Sequence, residues 1–229
     1  MALLEITVQS LQAASAAERA GANRIELCSS LNEGGTTPSL ELLQQVRAAV
    51  KIPIHVMIRP RAGDFFYTGG ELAEMKSQIA AARSANVEGV VFGILHKNRS
   101  VHVERTRELI QLAQPLKVTF HRAFDVATNL EQALEDVIAS GANRILTSGG
   151  APTAFAGTVM LAKLVAAAGS RIIVMPCAGI RPDDLEALYR ATRAVEFHAG
   201  LGTILPYGTR DLPRFESEVR KLAHLCNSL

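Results

Sequence analysis

Short stretches in which polar and apolar residues alternate recur along this chain, each followed by a longer stretch of helical periodicity. Period-two alternation is the mark of a strand with two different faces, and spacing of three to four marks an amphipathic helix. This pattern predicts eight strands, near residues 4–8, 24–28, 54–59, 89–94, 117–122, 144–148, 171–175 and 195–199. Helices fill the gaps. The second is expected to open with Thr37 as N-cap and Pro38 as its first residue, carrying Leu42, Leu43, Val46 and Val50 on its apolar face. The fifth is expected to open on Thr128-x-x-Glu131, the spacing of a capping box. The seventh opens on Pro182, with Asp183 and Asp184 at the positive end of the helix dipole, and residues 212–225 read as a closing helix.

An internal repeat supports the same register. Gly21-Ala-Asn-Arg-Ile-Glu-Leu27 returns as Gly141-Ala-Asn-Arg-Ile-Leu-Thr147, 120 residues on, with a weaker echo at 84–91. That interval is four steps of about 30 residues, the length of one strand-loop-helix unit. Strict alternation implies a parallel sheet, and eight units in 229 residues imply a (β/α)8 TIM-type barrel formed as one domain over residues 1–229. A doubly wound open sheet is the rival, but no G-x-G-x-x-G follows the first strand.

Strand parity then predicts which residues meet inside. One parity collects Glu5, Thr7, Glu26, Cys28, His55, Met57, Arg59, Thr119, His121, Ile145, Thr147, Met175, Cys177, Glu196 and His198. The other is almost wholly apolar, as in Ile6, Ile25, Leu27, Val56, Phe120 and Phe197, and belongs under the helices. Acids and imidazoles in a barrel interior must either satisfy one another, Glu26 with Arg59 for example, or serve a ligand.

Composition removes several classes of function. With 48% hydrophobic and 20% charged residues the chain has ample core and no signature of disorder. The net charge of +2 comes without a basic stripe, which argues against nucleic acid. No apolar run approaches membrane-spanning length, and MALLEITVQS lacks the basic start of a secretory signal. Cys28, Cys177 and Cys226 lie far apart with no C-x-x-C pair, so a reducing cytoplasmic setting is expected rather than a disulfide framework.

The loops after strands two, three, five and six are richer than turn-making requires. Glu26 is a candidate base, His121 a candidate acid and Arg59 a clamp for an oxyanion, an arrangement suited to acid–base chemistry on a small anionic molecule. Arg61, Arg122, Asp125, Ser148, Gly149, Gly150 and His198 are the candidate binding residues around them. Gly149-Gly150, Ala178-Gly179 and Gly200-x-Gly202 offer backbone N–H groups near where barrels commonly hold phosphate. Phe65, Phe66 and Tyr67 are expected either to pack beneath the third loop or to mark a subunit interface. His96 is a minor candidate at the rim, whereas His102 and His224 read as surface residues.

The segments ELCSSLNEGGTTPS (26–39), IRPRAGDFFY (58–67), TFHRAFD (119–125), LTSGG (146–150) and AGIRPDDL (178–185), in this order, resemble the CutC family. The resemblance runs from Glu5 to about Gly202 and implies a cytosolic TIM-type barrel of copper homeostasis, binding Cu(I) and forming a homodimer. It points to Glu26, Cys28, Arg59, His121, Arg122, Asp125 and Ser148 at the rim. Copper(I) favours thiolate and thioether ligands, and the inward parity supplies Cys28, Cys177, Met57 and Met175; Cys28 and Cys177 are the candidate metal ligands. Three functions stay open: Cu(I) binding at the rim, acid–base catalysis on an anionic metabolite, and a non-catalytic sensor using Arg59 and Arg61.

Overall fold

Eight strands and eight helices alternate in the computed structural model, which describes residues 2–202, 204, 205, 208 and 210–229. The strands are β1 (Leu3–Val8), β2 (Arg24–Leu27), β3 (Ile54–Met57), β4 (Gly89–Phe92), β5 (Lys117–Phe120), β6 (Arg144–Thr147), β7 (Ile173–Pro176) and β8 (Glu196–Ala199). The helices are α1 (Leu11–Arg19), α2 (Leu40–Ala49), α3 (Gly69–Ser84), α4 (Val103–Ala113), α5 (Leu130–Ser140), α6 (Thr158–Ala168), α7 (Pro182–Thr192) and α8 (Leu212–Ser228). Parallel neighbours run in the order β7-β6-β5-β4-β3-β2-β1-β8, and β7 lies against β8 to give a nearly closed barrel. The expected (β/α)8 architecture is the observed one. No helix among the described residues is long and apolar enough to cross a membrane.

The outward parity forms the main core. Ile6, Ile25, Leu27, Phe92, Phe120 and Phe197 are fully buried between strands and helices. Each contributes about 1.5–3 kcal/mol by leaving water.

Register explains where the parity argument succeeds and where it fails. Glu5 lies beside both Arg24 and His198, Thr7 beside Glu26, and Glu26 beside His55, so these side chains share the interior. On β6, Thr119 is paired with Arg144 and Phe120 with Ile145. Residues side by side across a ladder share a face, so Arg144 and Leu146 turn inward with Thr119. The expectation for Ile145 and Thr147 is therefore reversed: Ile145 packs in the outer core, and Leu146 packs with Met175 and Cys177 inside.

Two helix starts differ from the sequence pattern. The cap of α2 is Ser39, whose side chain accepts from Leu42 N–H, while Thr37 accepts from Arg59 N–H (2.8 Å) and donates to Gln78 (2.7 Å). The cap of α5 is Asn129, accepting from Glu131 and Gln132 N–H, while Thr128 donates to Asn98 O. A complete capping box does occur, between Thr68 and Glu71 at the start of α3. Pro182, Asp183 and Asp184 open α7 as expected.

Candidate active site

The barrel floor is a chain of alternating charges. Arg24 donates through Nε to Glu5 and through a terminal nitrogen to Glu196 Oε2 (2.7 Å). Arg144 grips Glu196 with two bonds, 2.6 and 3.2 Å. Burial alone would raise the pKa of Glu5, but Arg24 and then His198 hold it well below the usual carboxylate range. Glu5 in turn fixes His198, with Oε1 2.7 Å from His198 Nδ1.

The opposite ring nitrogen of His198, Nε2, lies 3.8 Å from Glu26 Oε2. Burial would lower the pKa of His198, but Glu26 and Glu5 outweigh it and hold it above the ordinary imidazole value. Glu26 is raised by burial, with His198 opposing and Glu5 adding to the rise. Both directions favour retention of protons by the pair. Glu26 Oε1 is buried and has no hydrogen-bond partner among the described residues.

His121 reaches the same space from the end of β5. Its Nδ1 accepts from Ala123 N–H (3.2 Å), so the neutral ring carries its proton on Nε2, which is buried with no described partner. Burial, assisted by the Arg59 charge, lowers its pKa to about 3. Room for the two rings comes from glycines at the start of β4 and just past its end: a Cβ on Gly93 would stand 2.6 Å from His121, and one on Gly89 2.5 Å from His55. Glu26, His121 and His198 all line one cavity of about 360 Å³ at the C-terminal mouth, together with Thr7, Arg59 and Phe65.

The other candidates mostly build the walls. Arg59 does not pair with Glu26. Its terminal nitrogens donate to the carbonyls of Glu33, Gly35 and Gly63, and its guanidinium sits 5.0 Å over the Phe65 ring. Only its buried Nε lacks a described partner. Arg61 lies outside the cavity lining, tied to Glu71, Asp64 and loop carbonyls. Asp125 accepts from Thr147 Oγ1, Ser148 N–H, Gly150 N–H and Arg122, and Gly149 N–H donates to Thr147 Oγ1. The Ser148-Gly149-Gly150 turn thus spends these donors internally. The Ala178-Gly179 turn does not: its N–H groups donate to no described residue, and both residues line the cavity at φ of 73° and 68°. A positive φ at a non-glycine such as Ala178 is a strained geometry of the kind found at ligand sites. Phe65 and Tyr67 pack inward, whereas Phe66 is 44% exposed. Arg24 is an interior residue that parity could have flagged, since it shares the face of Glu26, whereas Arg144 is placed inside only by the pairing of β6 with β5.

The two cysteines do not share a cluster. Cys28 packs with Met57, Val91 and Leu31, its Sγ 3.3 Å from Thr7 Oγ1. Cys177 packs with Leu146, Met175 and Ala178. The strands that lead to them, β2 and β7, are separated by β1 and β8. Cys177 lines the cavity and Cys28 does not. Burial pushes the Cys28 thiol up to about 12 and the Cys177 thiol well above its ordinary value. Protonated thiols with one thioether neighbour each are a poor fit to a ready-made Cu(I) dithiolate site.

The CutC family model matches residues 2–203 of this barrel. The chain belongs to the CutC family. Its sequence is 49% identical to a CutC family protein of Chromobacterium violaceum, over 86% of this chain and 80% of that relative. It is 44% identical to the human copper homeostasis protein cutC homolog, over 86% of this chain and 72% of that one. The solved CutC of Streptococcus agalactiae superposes with a TM-score of 0.83 at 30% identity, covering 87% of this CutC chain and 98% of its own. Phosphoribosylanthranilate isomerase of Thermotoga maritima, at a TM-score of 0.65 and 12% identity, is a likeness of fold alone.

Proposed function

We propose that this CutC-family chain binds a small anionic metabolite in the mouth cavity and transfers a proton to or from it through the Glu26–His198 pair. The observation that carries the reading is two buried polar atoms without described partners, Glu26 Oε1 and His121 Nε2, in the lining of one cavity. Unpaired buried polar atoms are costly unless a ligand or water meets them. The His121 Nε2–H, the Arg59 Nε–H and the N–H groups of Ala178 and Gly179 are donors suited to an oxyanion, and a protonated His198 adds positive charge. Glu26, backed by His198, is the group that takes or gives the proton, while His121 donates a hydrogen bond from its neutral ring.

Phosphosugars and small keto acids are the probes. A ligand at 100 times its Kd raises stability by about 2.7 kcal/mol, a readable rise in Tm. We expect such a rise in the wild type, retained in Glu26→Gln while turnover is lost. The reading fails if no such compound raises Tm and Glu26→Gln changes only stability.

The copper homeostasis names of the relatives motivate a second reading, in which copper is the cargo and Cu(I) is held at the rim by Cys28 and Cys177; the cytosolic homodimer implied by the family resemblance is part of the same proposal. Its support in the site is Cys177, a soft donor in the cavity lining, with Met175 in its cluster. Against it, Met175 Sδ already accepts from Arg24 (3.3 Å). Competition with a Cu(I) chelator is expected to show weakened binding in Cys28→Ser/Cys177→Ser; an affinity equal to wild type overturns this reading.

A further inference from the structure

Away from the mouth cavity, two imidazoles and a carboxylate meet where the loop after β4 enters α4. The loop is tightly closed: His96 N–H donates to Ser100 O and Arg99 N–H to His96 O, each at 2.8 Å, and Leu95 bridges Val101 across its base. Thr128 ties its tip to the neighbouring loop through bonds to Asn98 O (2.8 Å) and Arg99 O (3.3 Å). This closure sets His96 and His102 on facing arms, with rings stacked 4.0 Å apart and 16° from parallel. Glu104, in the first turn of α4, brings Oε2 to 3.3 Å from His102 Nδ1. One donor atom from each of the three residues lies within 4.8 Å of the others.

We propose that His96, His102 and Glu104 bind a borderline divalent transition ion such as Zn²⁺. Two imidazoles and one carboxylate suit Zn²⁺, Cu²⁺ or Ni²⁺, whereas Mg²⁺ and Ca²⁺ call for oxygen alone and Cu(I) for sulfur. The closed loop supplies the preorganisation, so little chain entropy remains to be lost on binding. Three protein donors at the surface leave a position open to water or a second ligand. The nearby Arg105 guanidinium is held by Tyr67 O (2.8 Å), and its positive charge still reaches His102. His102 also caps α4 through Nδ1, which accepts from Arg105 N–H at the long distance of 3.4 Å; a metal ion at Nδ1 would replace that bond, and capping does not require a second histidine stacked upon it. The buried trio Glu5, Glu26 and His198 is a separate cluster whose Glu5 is already paired with Arg24.

The test is a titration of the metal-free protein with Zn²⁺ in competition with a chromophoric chelator. One ion per chain is expected. Loss of second-shell partners alone costs about 10–100-fold in metal affinity, so His96→Gln and His102→Asn should each weaken binding at least about tenfold. Asparagine preserves the cap of α4, and His96→Gln, outside any helix, decides the matter should His102→Asn fold poorly. Glu26→Gln should leave Zn²⁺ affinity unchanged. An affinity that survives His96→Gln/His102→Asn, a loss in Glu26→Gln instead, or no binding by the wild type overturns the proposal.

Discussion

Replacing Arg24 by methionine lowers the stability of the barrel by about 3–5 kcal/mol, read as a fall in the urea midpoint at pH 7 with little change in slope. Arg24 is 3% exposed and is shared by two carboxylates on the barrel floor. Glu196 keeps Arg144 when Arg24 is lost, but Glu5, fully buried, keeps only imidazole partners. Methionine matches much of the volume of the arginine stem, so the deficit reports an uncompensated buried charge rather than a cavity. Adding Glu5→Gln to Arg24→Met is accordingly expected to restore part of the loss, since an amide can be buried more cheaply than a carboxylate. A single variant within about 1 kcal/mol of wild type would mean that the floor contributes no more than a surface ion pair.

Acid is expected to destabilise the fold from about pH 6.5 downward, above the range in which ordinary carboxylates titrate. Burial lowers the pKa of His55 to about 4 and, with Arg59 nearby, that of His121 to about 3. Both rings stay neutral in the fold while the unfolded chain takes up protons below about pH 6.5. Stability therefore falls as pH drops below 6.5, and each ring costs about 1.4 kcal/mol per pH unit until its folded pKa is reached. Between pH 6.5 and 5 the two remove up to about 4 kcal/mol. Glu26 returns some of it, because its raised folded pKa lets the fold take up that proton first as pH falls toward 4.5. His198 acts at the other end: its pKa is raised in the fold, so its stabilisation is complete below about 6.5 and lost as pH rises through the folded value. Urea midpoints measured from pH 7 to 5 check this, with His121→Gln expected to remove about half of the histidine-driven slope. A stability flat across that range would contradict the buried neutral rings.

The readability of the site differs from strand to strand for a physical reason. On β1, β2 and β8 one parity is polar and the other apolar, so Glu5, Glu26 and His198 could be assigned to the interior by counting. On β6 the run Arg144-Ile145-Leu146-Thr147 has one polar and one apolar residue on each face, and counting cannot choose between them. Pairing with β5 chose. Loop chemistry was the least legible. Arg59 and Asp125 carry charges that suggest ligands, yet most of their bonding capacity holds backbone carbonyls and amides of the loops. Residue identity records what a side chain offers, and the path of the loop decides what takes up the offer.

Hydrophobic periodicity, a repeat of about 30 residues and five specific segments were enough to determine the barrel, its polar interior and its kinship. These are local or additive properties, written into spacing along the chain. Which inward residues neutralise one another, which are left facing the cavity, and whether two distant cysteines meet depended on ladder register and strand order. Those quantities arise only when the sheet closes and brings β1 beside β8. Closure placed Glu5 against His198 across a separation of 193 residues, and it held Cys28 and Cys177 in separate clusters.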